Sequence, residues 1–184
     1  MKVLILEIAD KWQYIKDAAM TTIGKDAGKY PNSAWKKRML LCEHSPIRKL
    51  WVSWKWKGIA SWVSVHIVRH KLGIEHFVKS QRTDRTGIDR HSLPQDALVD
   101  HECEANAQAI INISRKRLCV GEAAPETVKA WKEFLNSIKD KEPELYAVSV
   151  PECIYRGFCC RFNSCGYSKT EQYQRDLEEY RSGM

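Results

Sequence analysis

No stretch of the sequence is apolar for the roughly 20 residues that a membrane-spanning helix needs. The opening segment, MKVLILEIADKW, turns acidic too soon for a secretory leader. The expected compartment is therefore the cytoplasm, with no membrane partner. No internal repeat and no low-complexity linker breaks the chain. Its 184 residues are enough for one real core and too few for two comfortable ones. The expectation is a single domain over 1–184, with a cysteine-rich C-terminal extension at about 150–184. Excess negative charge is also missing. The net charge of +7 and pI of about 9.0 favour anionic partners without choosing among nucleotides, nucleic acid and membrane surfaces.

A disulfide framework is not expected either, because the seven cysteines come without a secretory leader. Four crowd the last third: Cys153, Cys159, Cys160 and Cys165. Their spacing fits no standard zinc module. Buried thiols packing as small hydrophobes and a structural metal are the two readings, and no metal ligand set is assigned. A cysteine nucleophile has little support, since no base stands beside any of these thiols.

What is present begins with KVLILEIA, a short apolar strand. DKWQYIKDAAMTTIGK follows with helical spacing of Trp12, Ile15, Ala18 and Ala19, and Gly24 as a stop. Asn32 or Ser33 is placed to cap the helix AWKKRMLLCEH. RKLWVSWKWKG alternates, with Leu50, Val52, Trp54 and Trp56 on one side, as a strand does. Interleaved tryptophan and lysine also suits single-stranded nucleic acid, but a buried aromatic strand face is the preferred reading. From Ile59 to His70 the period changes to that of an amphipathic helix, with His66 and Arg69 projecting together near its end. A polar connector leads to a second long helix from about Asp96 to Leu118 and a third, APETVKAWKEFLNSIKD, with Pro125 in its first turn. The tail EQYQRDLEEYRSGM reads as a peripheral helix. The fold class expected is α+β, a mixed or antiparallel sheet packed with long helices.

The cluster HIVRHKLGIEHFVKSQR at 66–82 begins where an apolar stretch ends. Rigid backbone behind fixed cations is how phosphorylated ligands are commonly held. In the helix expected over 96–118, Asn106 and Arg117 are eleven positions apart. They therefore point the same way, roughly 16 Å apart along the axis. Asn112 lies off that line. Amides satisfying internal hydrogen bonds and a solvated arginine account for this spacing as well as a long ligand does.

GIASWVSVHIVRHKLGIEHFVKSQR resembles the signature region of the flavin-dependent thymidylate synthases, in which a helix ends in Arg-His-Arg and a Ser-Gln-Arg or Ser-Gly-Arg triplet follows. Here the triplets are Arg69-His70-Lys71 and Ser80-Gln81-Arg82. CEHSPIR at 42–48, RHSLP at 90–94 and NAQAIINISRKRL at 106–118 are similar to three further family segments, in the family's order.

The resemblance implies reductive methylation of dUMP to dTMP, with FAD as cofactor and NAD(P)H and methylenetetrahydrofolate as co-substrates. It implies a homotetramer with shared sites and the family's fold. By it, His44, Ser45, Arg69, His70, Lys71, Asn106, Gln108 and Asn112 contact the flavin. Ser80, Gln81 and Arg82 receive the nucleotide phosphate, with Arg90 from a neighbouring subunit. Arg117 is the catalytic residue, facing the uracil ring, Arg69 also borders the substrate, and His66 stands where the family has a glutamine on the base. Lys71 replaces the signature's second arginine, and Gln108 replaces another. The stretch between Arg82 and Arg90 is far shorter than in the family, which touches the folate and NAD(P)H contacts most. The alternatives are a related flavoenzyme modifying C5 of a pyrimidine nucleotide, or a nucleic-acid-binding module with a cysteine-bound metal.

Overall fold

The computed structural model describes residues 1–182. In chain order the elements are β1 (Lys2–Ile8), α1 (Trp12–Thr21), α2 (Ser33–Leu41), a 3₁₀ turn (Ser45–Lys49), β2 (Trp51–Ala60) and α3 (Ser61–Val68). Next come β3 (Ile74–Val78), the single turn α4 (Thr83–Thr86), β4 (Leu98–Asn106), α5 (Ala107–Arg117) and α6 (Pro125–Ile138). The chain continues with α7 (Pro143–Val148), α8 (Glu152–Arg156) and α9 (Glu171–Arg181). The four strands form one sheet in the order β1-β2-β4-β3, every pairing antiparallel. The class is α+β, as expected. No helix among the described residues is long and apolar enough to cross a membrane.

The alternation in β2 does what its pattern dictates. Val52, Trp54 and Trp56 are fully buried, while Trp51 and Lys57 face out. The aromatic face meets α6: Trp54 stacks on Phe134 with centroids 3.9 Å apart, and Trp131 sits edge-on to Trp54 at 6.0 Å. Trp56 Nε1 donates to the Ala130 carbonyl, and Trp131 Nε1 to Ser114 Oγ. Buried indole N–H groups need such partners. Trp54 and Trp56 are thus core residues, which removes the main support for a base-stacking surface, and Lys55 is paired to Glu102 across the sheet. Two local expectations hold as well. Asn32 caps α2 by accepting from the Trp35 N–H, and Pro125 opens α6.

Three expectations fail. The long helix over 96–118 is a strand and a helix: β4 runs from Leu98 to Asn106, and α5 begins only at Ala107. Within β4, Val99, His101, Cys103 and Ala105 are buried and alternate with exposed or half-buried acidic residues, a period of two. Its Asp, Glu and Ala content carries no β-preference. Pairing on both sides, with β2 and β3, overrides that local composition. The helix expected from Ile59 starts two residues later, because β2 crosses an irregularity at Gly58 (φ +67°) and continues to Ala60. The tail is not peripheral, since α9 buries Tyr173, Leu177 and Tyr180 in the main core cluster. β3, unforeseen, begins just after Gly73.

Gly73 is required by both its backbone and its surroundings. Its φ is +72°, and a Cβ there would lie 2.6 Å from Asn106 Nδ2. Its carbonyl also accepts from the Asn106 N–H at 2.9 Å. Gly73→Ala is expected to cost about 1–2 kcal/mol from the left-handed backbone alone, read as a lowered midpoint in urea melts. The same substitution at Gly87 (φ +70°, open space around it) lacks the added clash and is expected to cost less.

Candidate active site

Two segments that the sequence keeps apart meet at the end of α3. Arg117, the last residue of α5, donates from Nε to His70 Nε2 at 2.9 Å and from Nη2 to the His66 carbonyl at 2.6 Å. The second bond satisfies a carbonyl left over at the end of α3. For His70 to accept at Nε2 it must be neutral with its proton on Nδ1. Its surroundings ensure this: burial first, then the Arg117 charge, press its pKa from the ordinary 6.5 to about 4. Burial and the nearby Arg69 charge act in the same sense on Arg117, lowering its pKa, but a guanidinium keeps its proton. Among the described residues Arg117 Nη1 has no protein partner, so one arm of a half-buried cation is free for a ligand. Arg69, whose charge reaches Arg117, and Lys71 are both exposed, with no ion pair among the described residues.

Asn106 and Arg117 do share a face, as their spacing predicts, although Asn106 is the residue before α5 and not within it. Its Oδ1 caps the helix by accepting from the Ala109 N–H at 3.0 Å. That face meets the 66–73 segment at both ends, Asn106 against Gly73 and Arg117 against His66 and His70. His66 is turned elsewhere: its Nδ1 lies 3.2 Å from Thr127 Oγ1 of α6, and its ring stands edge-on to Trp62.

Gln108 and Asn112 form a second cluster on another face of α5. Gln108 donates to the Glu43 carboxylate and to Asn112 Oδ1, and Arg115 donates to Asn112 Oδ1 at 3.1 Å and pairs with Glu43. The Arg115 guanidinium also covers the Tyr155 ring, 3.4 Å from its centroid. Glu43, with its positive φ of +50°, and Arg115 were not foreseen. The signal available was a carboxylate directly before the His44-Ser45 pair. His44 and Ser45 are both exposed.

The Ser80–Arg82 loop lies at the other end of α3. Gln81 Oε1 accepts from Ser61 Oγ, the first residue of that helix, at 3.4 Å. Ser80 Oγ accepts from the Arg82 N–H at 3.2 Å, while the exposed Arg82 guanidinium makes a two-bond fork to Asp84 at 2.8 and 2.9 Å. Arg90 is exposed, its backbone N–H donating to Thr83 Oγ1. The two cationic groups therefore stand at opposite ends of an eight-residue helix, about 12 Å apart. A cavity of about 730 Å³ lies elsewhere, between α6, α8 and α9, bordered by Lys132, Tyr146, Cys153 and Tyr180. Of the C-terminal cysteines, Cys160 and Cys165 are exposed and Cys153 and Cys159 half-buried. Among the described residues they form no set of converging ligand atoms. Burial pushes the Cys153 thiol up to about 11.

No model of a known protein family matches the sequence, and no curated protein matches it. Solved structures do. A crystal structure of flavin-dependent thymidylate synthase ThyX from Helicobacter pylori, complexed with FAD and dUMP, superposes with a TM-score of 0.67 at 13% identity. The match covers 82% of this chain and 100% of that one. A second ThyX structure from the same organism, also with FAD and dUMP, gives 0.62 at 13%, over 82% and 99%. The UMP/dUMP methylase PolB from Streptomyces cacaoi, bound with 5-Br dUMP, gives 0.63 at 13%, over 85% and 95%. The chain has the fold shared by ThyX and PolB.

Proposed function

We propose that this chain is a flavoenzyme acting on dUMP. Its reaction in this reading is reductive methylation of dUMP to dTMP, with methylenetetrahydrofolate as carbon donor and NAD(P)H as reductant. The observation that carries the reading is the bond from Arg117 to His70 at 2.9 Å. It joins two segments that the sequence singles out independently, 47 positions apart, into one cationic centre with a free donor. The shared fold, seen with FAD and dUMP in two of the solved structures, supports the same reading.

The residues present suit ligands bearing phosphate. Arg69, Lys71 and His44 offer exposed polar groups with no side-chain partner among the described residues, and Ser80 with Arg82 offers a hydroxyl and a guanidinium fork. A bound flavin supplies the electron transfer that no side chain can perform. Asn106 would help hold a flavin from its capping position at the start of α5. Gln108 and Asn112 would exchange part of their present pairing with Glu43 and Arg115 for it. Arg117 faces the pyrimidine through Nη1. A fixed cation there favours the N3-deprotonated ring and raises the nucleophilicity of C5, so no cysteine need attack. The phosphate takes Arg82 from Asp84. In this reading each site is shared between neighbouring copies of a homotetramer, Arg90 coming from a neighbouring subunit, as the resemblance to the flavin-dependent thymidylate synthases implies; the separation of the two cationic groups along α3 is compatible with that.

The test is an anaerobic incubation of the purified protein with reduced FAD, methylenetetrahydrofolate and either dUMP or UMP, with products identified by mass. dTMP from dUMP is expected. A colourless protein that takes up no FAD and binds neither nucleotide overturns the reading. A second reading, methylation of UMP, is favoured by the PolB likeness, and the UMP arm decides it.

A further inference from the structure

Behind the Arg117–His70 pair lies a cluster that the proposed chemistry does not use. His76 of β3 pairs directly opposite Cys103 of β4, and His101 precedes Cys103 by two residues on the same strand. The alternation of a strand puts all three side chains on one face of the sheet. His101 and Cys103 are fully buried and His76 is half-buried. His76 Nδ1 and His101 Nε2 are 3.0 Å apart, and Cys103 Sγ is 3.4 Å from the first and 3.2 Å from the second.

We infer that His76, His101 and Cys103 bind one Zn²⁺ ion. Tetrahedral zinc holds imidazole nitrogen at about 2.0–2.1 Å and thiolate sulfur at about 2.3 Å. Neighbouring ligand atoms then stand about 3.3 Å apart for two nitrogens and about 3.6 Å for nitrogen and sulfur. The observed triangle is that triangle, contracted by a few tenths of an ångström. Two imidazoles and a thiolate are also a donor set that zinc prefers, leaving a fourth position for water.

The outer nitrogens are arranged as zinc-bound histidines require. His76 Nε2 lies 2.7 Å from the His70 carbonyl, which can only accept, so the proton is on Nε2 and Nδ1 presents a lone pair to the cluster. His101 Nδ1 is held by Ser64 Oγ of α3 at 3.1 Å. Each ring is thus fixed in orientation by a partner outside the ligand set. A chain of hydrogen bonds from Ser64 through His101 and His76 to His70 accounts for the two rings. The Cys103 sulfur, 3.4 Å from His76 Nδ1 and 3.2 Å from His101 Nε2, has only one proton to share with them, whereas a metal engages all three atoms.

Binding breaks the Cys103 S–H bond. The sulfur becomes the zinc-bound thiolate and its proton leaves to solvent, with nothing oxidised or reduced. The ion ties β3 to β4 and, through Ser64 and His70, fixes both the body and the end of α3. Its effect is on position and stability, and it does not depend on whether the chain binds a flavin.

The full-length protein, produced in zinc-supplemented medium and dialysed against metal-free buffer, is expected to carry one zinc per chain by elemental analysis. Exchange with Co²⁺ is expected to give the thiolate-to-cobalt charge-transfer and tetrahedral ligand-field bands. Cys103→Ser and His76→Gln should each lose the metal and those bands. Cys160→Ser, in an exposed cysteine of the C-terminal group, should keep both. If Cys103→Ser fails to fold, the half-buried His76→Gln carries the comparison. Wild-type protein that retains no zinc and shows no cobalt bands overturns the inference, as does metal retained undiminished by His76→Gln.

Discussion

Replacing Arg117 by alanine is expected to lower turnover of dUMP by two to three orders of magnitude while the protein stays folded and still binds flavin. The size follows from what one preorganised donor is worth when it faces charge developing in the transition state, about 10²–10³ in kcat. Three features make Arg117 that donor. Its cation is half-buried, so less water screens it. Its direction is fixed by bonds to His70 Nε2 and the His66 carbonyl. Its Nη1 has no partner among the described residues. Arg117→Lys separates charge from geometry. A single ammonium can reach one of the three partners as a point charge but cannot present a planar fork to all of them. The lysine variant is expected to bind dUMP nearly normally and to lose most of kcat, a split that a purely structural role for Arg117 does not produce. Steady-state kinetics with flavin content measured in parallel is the check. An alanine variant that turns over at the wild-type rate removes Arg117 from the chemistry.

The largest effect on stability is expected from an acid far from the site. Glu142 is 3% exposed and accepts from Trp12 Nε1 at 2.9 Å. Burial raises its pKa from 4.5 to about 7, against the opposing pull of the Trp12 N–H and the Lys36 charge. The folded state therefore holds this proton more tightly than the unfolded chain does. Between about pH 4.5 and pH 7 the folded form carries more protons, so stability falls as pH rises through this window. The contribution is fully present below the unfolded value and lost above the folded one. The gap corresponds to about 3 kcal/mol. Glu142→Gln keeps an oxygen for Trp12 and cannot ionise. It is expected to be more stable than wild type by up to about 3 kcal/mol at pH 8 and equal to it near pH 4. Urea melts of both proteins across this range measure the difference. A gap that does not grow with pH contradicts the assignment.

Local pattern and tertiary structure divided the work unevenly. β1, the buried face of β2, the Asn32 cap, the Pro125 start and the shared direction of Asn106 and Arg117 were all legible, because each follows from periodicity or from a group within four residues. The chemistry of Arg69, His70 and Arg117 was legible as residue type. β4 was not, because Asp100, Glu102 and Glu104 carry no strand preference and only the neighbours on either side make a strand of them. With β4 misread as helix, the His101-x-Cys103 alternation had no meaning, and neither did its pairing with His76. Likewise, nothing local says that Gln108 and Arg115 turn to Glu43, contacts spanning 65 and 72 positions.

The sequence by itself determined which stretches bury an apolar face and which side chains can hold a phosphate or a proton. Only the tertiary structure decided which of them meet. Helical period and capping are properties of consecutive backbone, whereas a cross-strand pair or a helix-end contact depends on which segment the closed core brings alongside. Arg117 reaches His70, and His76 reaches Cys103, because β2 and β4 pair over a common tryptophan core that sets α3, β3 and α5 side by side.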